Sequence, residues 1–193
     1  MDTGRKNATV ESEVKLQVLV DIEVIEKYLA THGFRKVDEC REKDIYFKHP
    51  CRDLALSDEA VRLRHRVCVN SGRHIVLTYK GPRENREGVI KTRREIEAYL
   101  TPDNASSIIE ILDKIGVSQL ISFVKNRDIY RGNGLEASID ELKGVGYFLE
   151  VEAKEPHAIH LLDIIVRDLS SMAKPIQETY LEICLKTGRC IEE

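Results

Sequence analysis

The chain has 193 residues, of which 42% are hydrophobic and 33% charged; 30 Lys and Arg face 33 Asp and Glu, for a net charge of −3. That length suits one domain able to bury a core without staples. The near-neutral total excludes a protein that coats nucleic acid by bulk positive charge, and no nucleic-acid partner is expected. The longest uncharged run, residues 115–124, falls far short of the ~18–20 apolar residues of a spanning helix. The first ten residues lack an apolar signal region, so the expected location is the cytoplasm, away from membranes.

Residues 1–9 are polar and read as a disordered tail. Residues 11–20 alternate like a strand. A helix follows with Ile22, Ile25 and Leu29 on one face, stopped by Gly33. Residues 44–48 read as a short strand. Residues 60–69 and 74–80 are two strands joined at Asn70-Ser71-Gly72. Residues 81–88 form a polar loop, and 89–100 another strand. Thr101-Pro102 caps a second helix whose apolar stripe is Ile108, Ile111, Leu112 and Ile115. Strands at 120–130 and 135–140 flank the turn Arg131-Gly132-Asn133-Gly134, and 146–154 is the last strand. Two helices close the chain, one near Pro156 carrying Leu162, Ile165, Val166 and Leu169. The other starts near Pro175 and carries Ile176, Tyr180 and Ile183.

The fold class is therefore α+β. Eight mainly antiparallel, hairpin-linked strands are enough to close, or nearly close, into a barrel with helices packed outside. Cys40, Cys51, Cys68, Cys184 and Cys190 are odd in number and contain no C-x-x-C pair. Free thiols are expected rather than a disulfide framework or a zinc site. The histidines show no metal-ligand spacing.

Alternate residues of a strand share a face, and here the charges obey that period on strand after strand. Glu11, Glu13 and Lys15 fall together, as do Arg62, Arg64 and Arg66. Thr78 and Lys80 share a face, and so do Lys91, Arg93, Glu95 and Glu97. Later strands place Lys125 with Arg127, Glu136 with Ser138 and Asp140, and Glu150 with Glu152. One such strand is an ordinary solvated face. Seven of them, nearly all ionised and segregated by sign, point to a hydrated barrel lumen built for a highly charged ligand. Converging Arg and Lys suit a polyphosphate. Carboxylates beside them suit Mg²⁺ or Mn²⁺, hard cations that bridge oxygen donors to phosphates. No G-x-x-x-x-G-K-[ST] motif is present, which excludes a Walker nucleotide site.

Glu11-Ser12-Glu13-Val14-Lys15 is an E-x-E-x-K motif. After it, in order, come Asp44-Ile45-Tyr46-Phe47, Arg62-Leu63-Arg64, Thr78-Tyr79-Lys80-Gly81-Pro82, Arg93-Arg94-Glu95-Ile96-Glu97, Lys125-Asn126-Arg127, Asp140, Gly146 to Glu152 and Thr179-Tyr180-Leu181-Glu182. This series resembles the CYTH superfamily of triphosphate tunnel metalloenzymes, and looks most similar to its class IV adenylyl cyclase branch. The resemblance implies a single tunnel domain over residues 10–186, with 187–193 as a tail. It implies that Lys15, Arg62, Arg64, Lys80, Arg93, Lys125 and Arg127 bind phosphate. It implies a metal set of Glu11, Glu13, Glu150 and Glu152, with Glu13 and Glu152 as the first direct ligands and Glu95, Glu97 and Asp140 completing the network. Glu11, Glu13, Lys15 and Asp140 would carry the catalysis. Two reactions share such a tunnel: cyclisation of ATP to cyclic AMP, or hydrolysis of inorganic, thiamine or nucleoside triphosphate. A module that binds without turnover is a third reading, and a homodimer is an expectation of the resemblance alone.

Overall fold

The computed structural model describes residues 8–84 and 88–190. Eight strands form one closed antiparallel ring: β1 (Ala8–Val18), β2 (Arg35–Lys48), β3 (Ala60–Cys68), β4 (Gly72–Arg83), β5 (Lys91–Leu100), β6 (Ser118–Gly132), β7 (Leu135–Leu142) and β8 (Gly146–Ala153). The ring order is β5-β4-β3-β2-β6-β7-β8-β1, closed by β1 on β5, and a short β9 (Ala173–Pro175) adds to β1. The helices are α1 (Ile22–Thr31), α2 (Pro102–Lys114), α3 (Ile159–Asp168) and α4 (Tyr180–Thr187).

β1 closes the barrel by sharing its edges. Ala8–Glu13 pairs with β5, Glu13–Gln17 with β8, and Leu16–Val18 with β9. It begins at Ala8, inside the stretch expected to be a tail. Residues 1–7, 85–87 and 191–193, which include parts of that tail, of the polar loop and of the C-terminal tail, lie outside the described residues. Residues 81–83 extend β4. Thr187 ends α4, Gly188 caps it with φ of 65°, and Cys190 is tied back to Cys184, so the described residues of the expected tail pack at the end of a helix.

β2 runs over 14 residues rather than five. Its N-terminal half has charge on both faces, which erases the apolar period that marks a half-buried strand. The β6–β7 turn has Asn133 and Gly134 at φ of 57° and 74°, the left-handed pair of a tight hairpin. α4 starts at Thr179, whose side chain accepts from the Glu182 N–H while Glu182 accepts from the Thr179 N–H. It does not start at Pro175, which pairs with Leu16 in the sheet.

Outward faces, apart from the charged N-terminal half of β2, are mainly apolar and covered unevenly. α1 and α3 pack Ile25, Leu29, Leu162 and Ile165 onto Val14, Leu16, Ile139, Leu149 and Val151. α2 covers β2, β3 and β4 thinly: Leu112 reaches their outer face, while Ile111 and Ile115, read as part of the buried stripe, are 58% and 63% exposed. The cysteines also differ from expectation. Cys40 is bonded to Cys68 and Cys184 to Cys190, leaving Cys51 as the free, exposed thiol. Cys40 and Cys68 are direct cross-strand partners between β2 and β3, a juxtaposition that sequence separation does not reveal.

Gly132 lies where the β6 end crosses the exit of α1. A Cβ there would stand 2.6 Å from the Gly33 carbonyl oxygen and 3.0 Å from the Phe34 Cα. Backbone cannot yield as a flexible side chain does, so Gly132→Ala should cost about 1–3 kcal/mol, read as a lower urea midpoint at unchanged m. A neutral result would mean that this crossing is looser than described.

Candidate active site

The ring turns one face of every strand inward. β1 contributes Glu11, Glu13 and Lys15; β3 gives Arg62, Arg64 and Arg66; β4 gives Lys80; β5 gives Arg93, Glu95 and Glu97. β6 gives Arg127, β7 Glu136 and Ser138, and β8 Glu150 and Glu152; all line one cavity of about 190 Å³. Lys125 and Asp140 sit beneath that surface, at 1% and 0% exposure. The structure thus brings together the residues that the resemblance implies for phosphate and metal, while Thr78 and Lys91 are buried in the wall and do not line the cavity. It also adds Glu42, Asp44, Tyr46, Lys154 and Tyr180.

Glu42 was missed because the strand was taken to begin at Asp44; extending the same alternation back two residues finds it. It is fully buried and serves as the counter-charge of the cationic wall. Arg64 lies 3.0 Å from it and Lys125 3.2 Å, with Arg66 also paired and Arg127 at 3.8 Å. Burial alone would raise this carboxyl, but Arg64, Lys125 and Arg127 hold it well below the usual range. Asp44 accepts from Arg64 Nε and Nη2 at 2.6 and 2.7 Å, a two-pronged bond that fixes the guanidinium plane. Asp140 accepts from Lys125 at 3.0 Å, from Arg127 Nε at 2.7 Å and from the Tyr180 hydroxyl at 2.6 Å. Glu150 bridges Lys15 at 2.9 Å and Arg127, and these cations, with Lys125, hold it well below its ordinary value against the pull of burial.

One end of the lumen is apolar. The inward faces of β2, β6, β7 and β8 finish in Tyr46, Phe123, Leu142 and Phe148, and Tyr180 and Cys184 of α4 pack against them. Tyr180 places its ring 3.4 Å from the Lys15 Nζ and 4.6 Å from the Lys125 Nζ, so its negative face shields two ammonium groups that burial would otherwise penalise.

The acids divide into two groups. Glu42, Asp44, Asp140 and Glu150 are engaged with the buried cations, Glu95 pairs with Lys80, and Glu152 meets Lys154 at 2.6 Å near the rim. Glu11, Glu13 and Glu152 are half-buried beside one another, Glu13 and Glu152 being cross-strand partners. Burial pushes Glu11 up to about 8, with Glu95, Glu152 and Glu13 adding repulsion against Lys80. Glu152 is raised too, by burial first, with Lys154 opposing. Carboxylates crowded in this way offer the oxygen-donor chemistry that a hard divalent cation takes. The cations have open valence as well: Arg62 Nε and Lys91 Nζ are buried without hydrogen-bond partners. Lys91, beside Glu13 across the β1–β5 seam, is lowered to about 8 by burial and by Lys15.

The fold is thus a closed eight-stranded tunnel with basic and acidic walls. Residues 10–182 match the CYTH domain family model, and the chain belongs to that family. It is 31% identical to the Putative adenylate cyclase MJ0240 of Methanocaldococcus jannaschii, over 90% of this chain and 98% of that one. The PH1819 protein of Pyrococcus horikoshii OT3 superposes with a TM-score of 0.75 at 34% identity, covering 90% and 98% of the two chains. The Hippeastrum protein HpAC1, named as a putative adenylyl cyclase with a dominant triphosphatase activity, has a TM-score of 0.66 at 19% identity, covering 93% and 96%. At that identity the likeness is one of fold.

Two outcomes test this electrostatic layout. Glu42→Ala leaves Arg64, Lys125 and Arg127 buried without their shared counter-charge and should cost about 3–5 kcal/mol, measured by denaturant unfolding. For Glu11, the folded carboxyl keeps its proton up to pH ~8 while the unfolded one loses it near 4.5. The metal-free protein therefore loses stability as pH rises between those values. Glu11→Gln should remove that loss and raise the metal-free melting temperature at pH 8 by a few degrees, with little change at pH 4; a lower value at pH 8 would reverse the assignment.

Proposed function

We propose that the protein is a metal-dependent enzyme acting on a triphosphate held in its tunnel. The reaction we assign first is that of a class IV adenylyl cyclase, ATP to cyclic AMP and pyrophosphate. The observation that carries the reading is the pairing of a cation wall with unmet donors, Arg62 Nε and Lys91 Nζ, with a separate cluster of crowded acids, Glu11, Glu13 and Glu152. The name carried by the Methanocaldococcus relative supports the choice of reaction.

Lys15, Arg62, Arg64, Lys80, Arg93, Lys125 and Arg127 bind the phosphate oxygens and stabilise charge that grows on the leaving group. Glu42, Asp44, Asp140 and Glu150 hold those cations in place and so act as positioning residues. Glu13 and Glu152 would hold Mg²⁺ or Mn²⁺, with Glu11 beside them and Glu95 and Glu97 farther along the wall. When bound, the ion would neutralise phosphate charge and polarise the phosphorus centre. Glu11 would serve as base for the attacking hydroxyl once it has given up its own proton, a loss that a cation held beside it would favour. A second reading, triphosphate hydrolysis, is favoured by the half-exposed state of Glu11, Glu13 and Glu152, which lets water reach the acids.

The test is incubation with ATP, inorganic triphosphate and thiamine triphosphate, each with Mg²⁺ or Mn²⁺. Cyclic AMP with pyrophosphate is the expected product. Orthophosphate without cyclic AMP moves the assignment to hydrolysis, and no turnover of any substrate defeats both reactions. Glu13→Gln should lower turnover by at least about a hundredfold while the circular dichroism spectrum stays unchanged.

A further inference from the structure

The rim of the lumen carries one rung of acids and a cation unlike those deeper in the wall. Glu152 of β8 has Glu13 of β1 as its direct partner on one side and Glu136 of β7 on the other. Like charges set directly opposite across strands repel. Glu136 accepts from Arg131 Nε at 2.8 Å. Glu152 accepts from the Lys154 ammonium at 2.6 Å, and the same ammonium stands 4.0 Å from Glu136. Lys154 lies two residues past Glu152 on the same face, so its charge hangs over this rung.

The surroundings of this contact differ from those of an ordinary exposed ion pair, which contributes little. The Glu152 and Glu136 side chains are 24% and 15% exposed, against 44% for Lys154. The ammonium therefore comes from the solvent side to acids that are mostly covered. The deeper cations are held from several directions, Arg64 by both oxygens of Asp44 and Arg127 by Asp140 and Glu150. Lys154 instead offers a point charge on a flexible stem. Its backbone is pinned, since the Lys154 N–H donates to the Gly134 carbonyl at 2.9 Å. The ammonium can leave Glu152 by turning its own stem while β8 stays in place.

We propose that Lys154 is a built-in competitor for the divalent ion. Its ammonium and a hard cation require the same Glu152 oxygens. Binding of the ion displaces Lys154 toward solvent, and Lys154 sets how tightly the tunnel takes metal on its own. An ion that arrives with a triphosphate has phosphate oxygens as further ligands and overcomes this competition, whereas a bare ion meets it in full. The inference rests on the metal role proposed above for Glu13 and Glu152.

The experiment is calorimetric titration of Mn²⁺ into the full chain after treatment with EDTA and dialysis, without triphosphate. Physiological ionic strength, with a Debye length of about 8 Å, screens distant charges. Lys154→Met keeps the apolar stem and removes the charge. Lys154→Arg keeps the charge. Lys143→Met removes an exposed charge from the β7–β8 turn. Lys154→Met should bind Mn²⁺ about tenfold tighter than the wild type, with the other two variants within about twofold of it. Melting supplies a second readout. In EDTA, Lys154→Met should melt about 2–4 °C below the wild type, because Glu152 loses its counter-charge, and saturating Mn²⁺ should close that gap. Unchanged or weaker Mn²⁺ binding by Lys154→Met, or a gap that Mn²⁺ leaves open, overturns the competition and leaves the metal role of the acids standing. An equal gain in Lys143→Met assigns the effect to net charge and overturns it as well. If Mn²⁺ binds neither the wild type nor Lys154→Met, the metal role itself falls, and this inference with it.

Discussion

Like charges must be held together inside a barrel before any ligand arrives, and that constraint shapes the rest of the structure. Arg64, Lys125 and Arg127 converge in space removed from bulk water, where an uncompensated cation is costly. Glu42 lies among all three, Asp44 and Asp140 hold them by geometry, and the Tyr180 ring shields Lys15 and Lys125. The acids in this set are counter-ions before they are anything else. They fix where the guanidinium forks point, and a phosphate arrives at donors that are already oriented. The acids left outside it, Glu11, Glu13 and Glu152, remain crowded, and Glu11 and Glu152 have raised proton affinity. The division of labour between positioning and metal chemistry follows from which carboxylates the buried Arg64, Lys125 and Arg127 hold; Glu152 instead meets the more exposed Lys154, at 2.6 Å.

Much of this was legible in the sequence because strand alternation is a rigid rule. Once a strand is recognised, parity assigns each side chain to the lumen or the outer face, and Glu11, Arg62, Lys80, Lys125 and Glu150 fell correctly for that reason. Glu42 escaped because Glu39, Arg41 and Lys43 make the outer face of β2 as charged as the inner one, and no apolar period marks the strand there. Lys91 is 1% exposed; its depth depends on the β1–β5 seam, a pairing between residues far apart in the chain. The same non-local register hides Cys40 beside Cys68. Pro175 looked like a helix start, but the Thr179–Glu182 capping box a few residues on is what begins α4.

The two ends of the lumen differ because the inward faces change character along their length. From Glu136, Arg66 and Glu97 the walls are ionic; by Tyr46, Phe123, Leu142 and Phe148 they are apolar, and α4 docks there. Apolar burial anchors the helix while its Tyr180 hydroxyl and ring enter the charged region. One short helix therefore ends the ionic lumen and orients Asp140.

That position of α4 has a bearing on biosynthesis. A chain emerging from the ribosome has all eight strands available well before residue 180. The ring can then close around its ion pairs, yet Asp140 still lacks the Tyr180 hydroxyl and the apolar end lacks its cover. Such an intermediate would expose Phe123, Leu142 and Phe148 around a cluster of buried charges, a surface prone to wrong contacts. Completion of the site and loss of that exposed surface are the same event, so a folded chain that can bind is also one that has hidden its most adhesive patch.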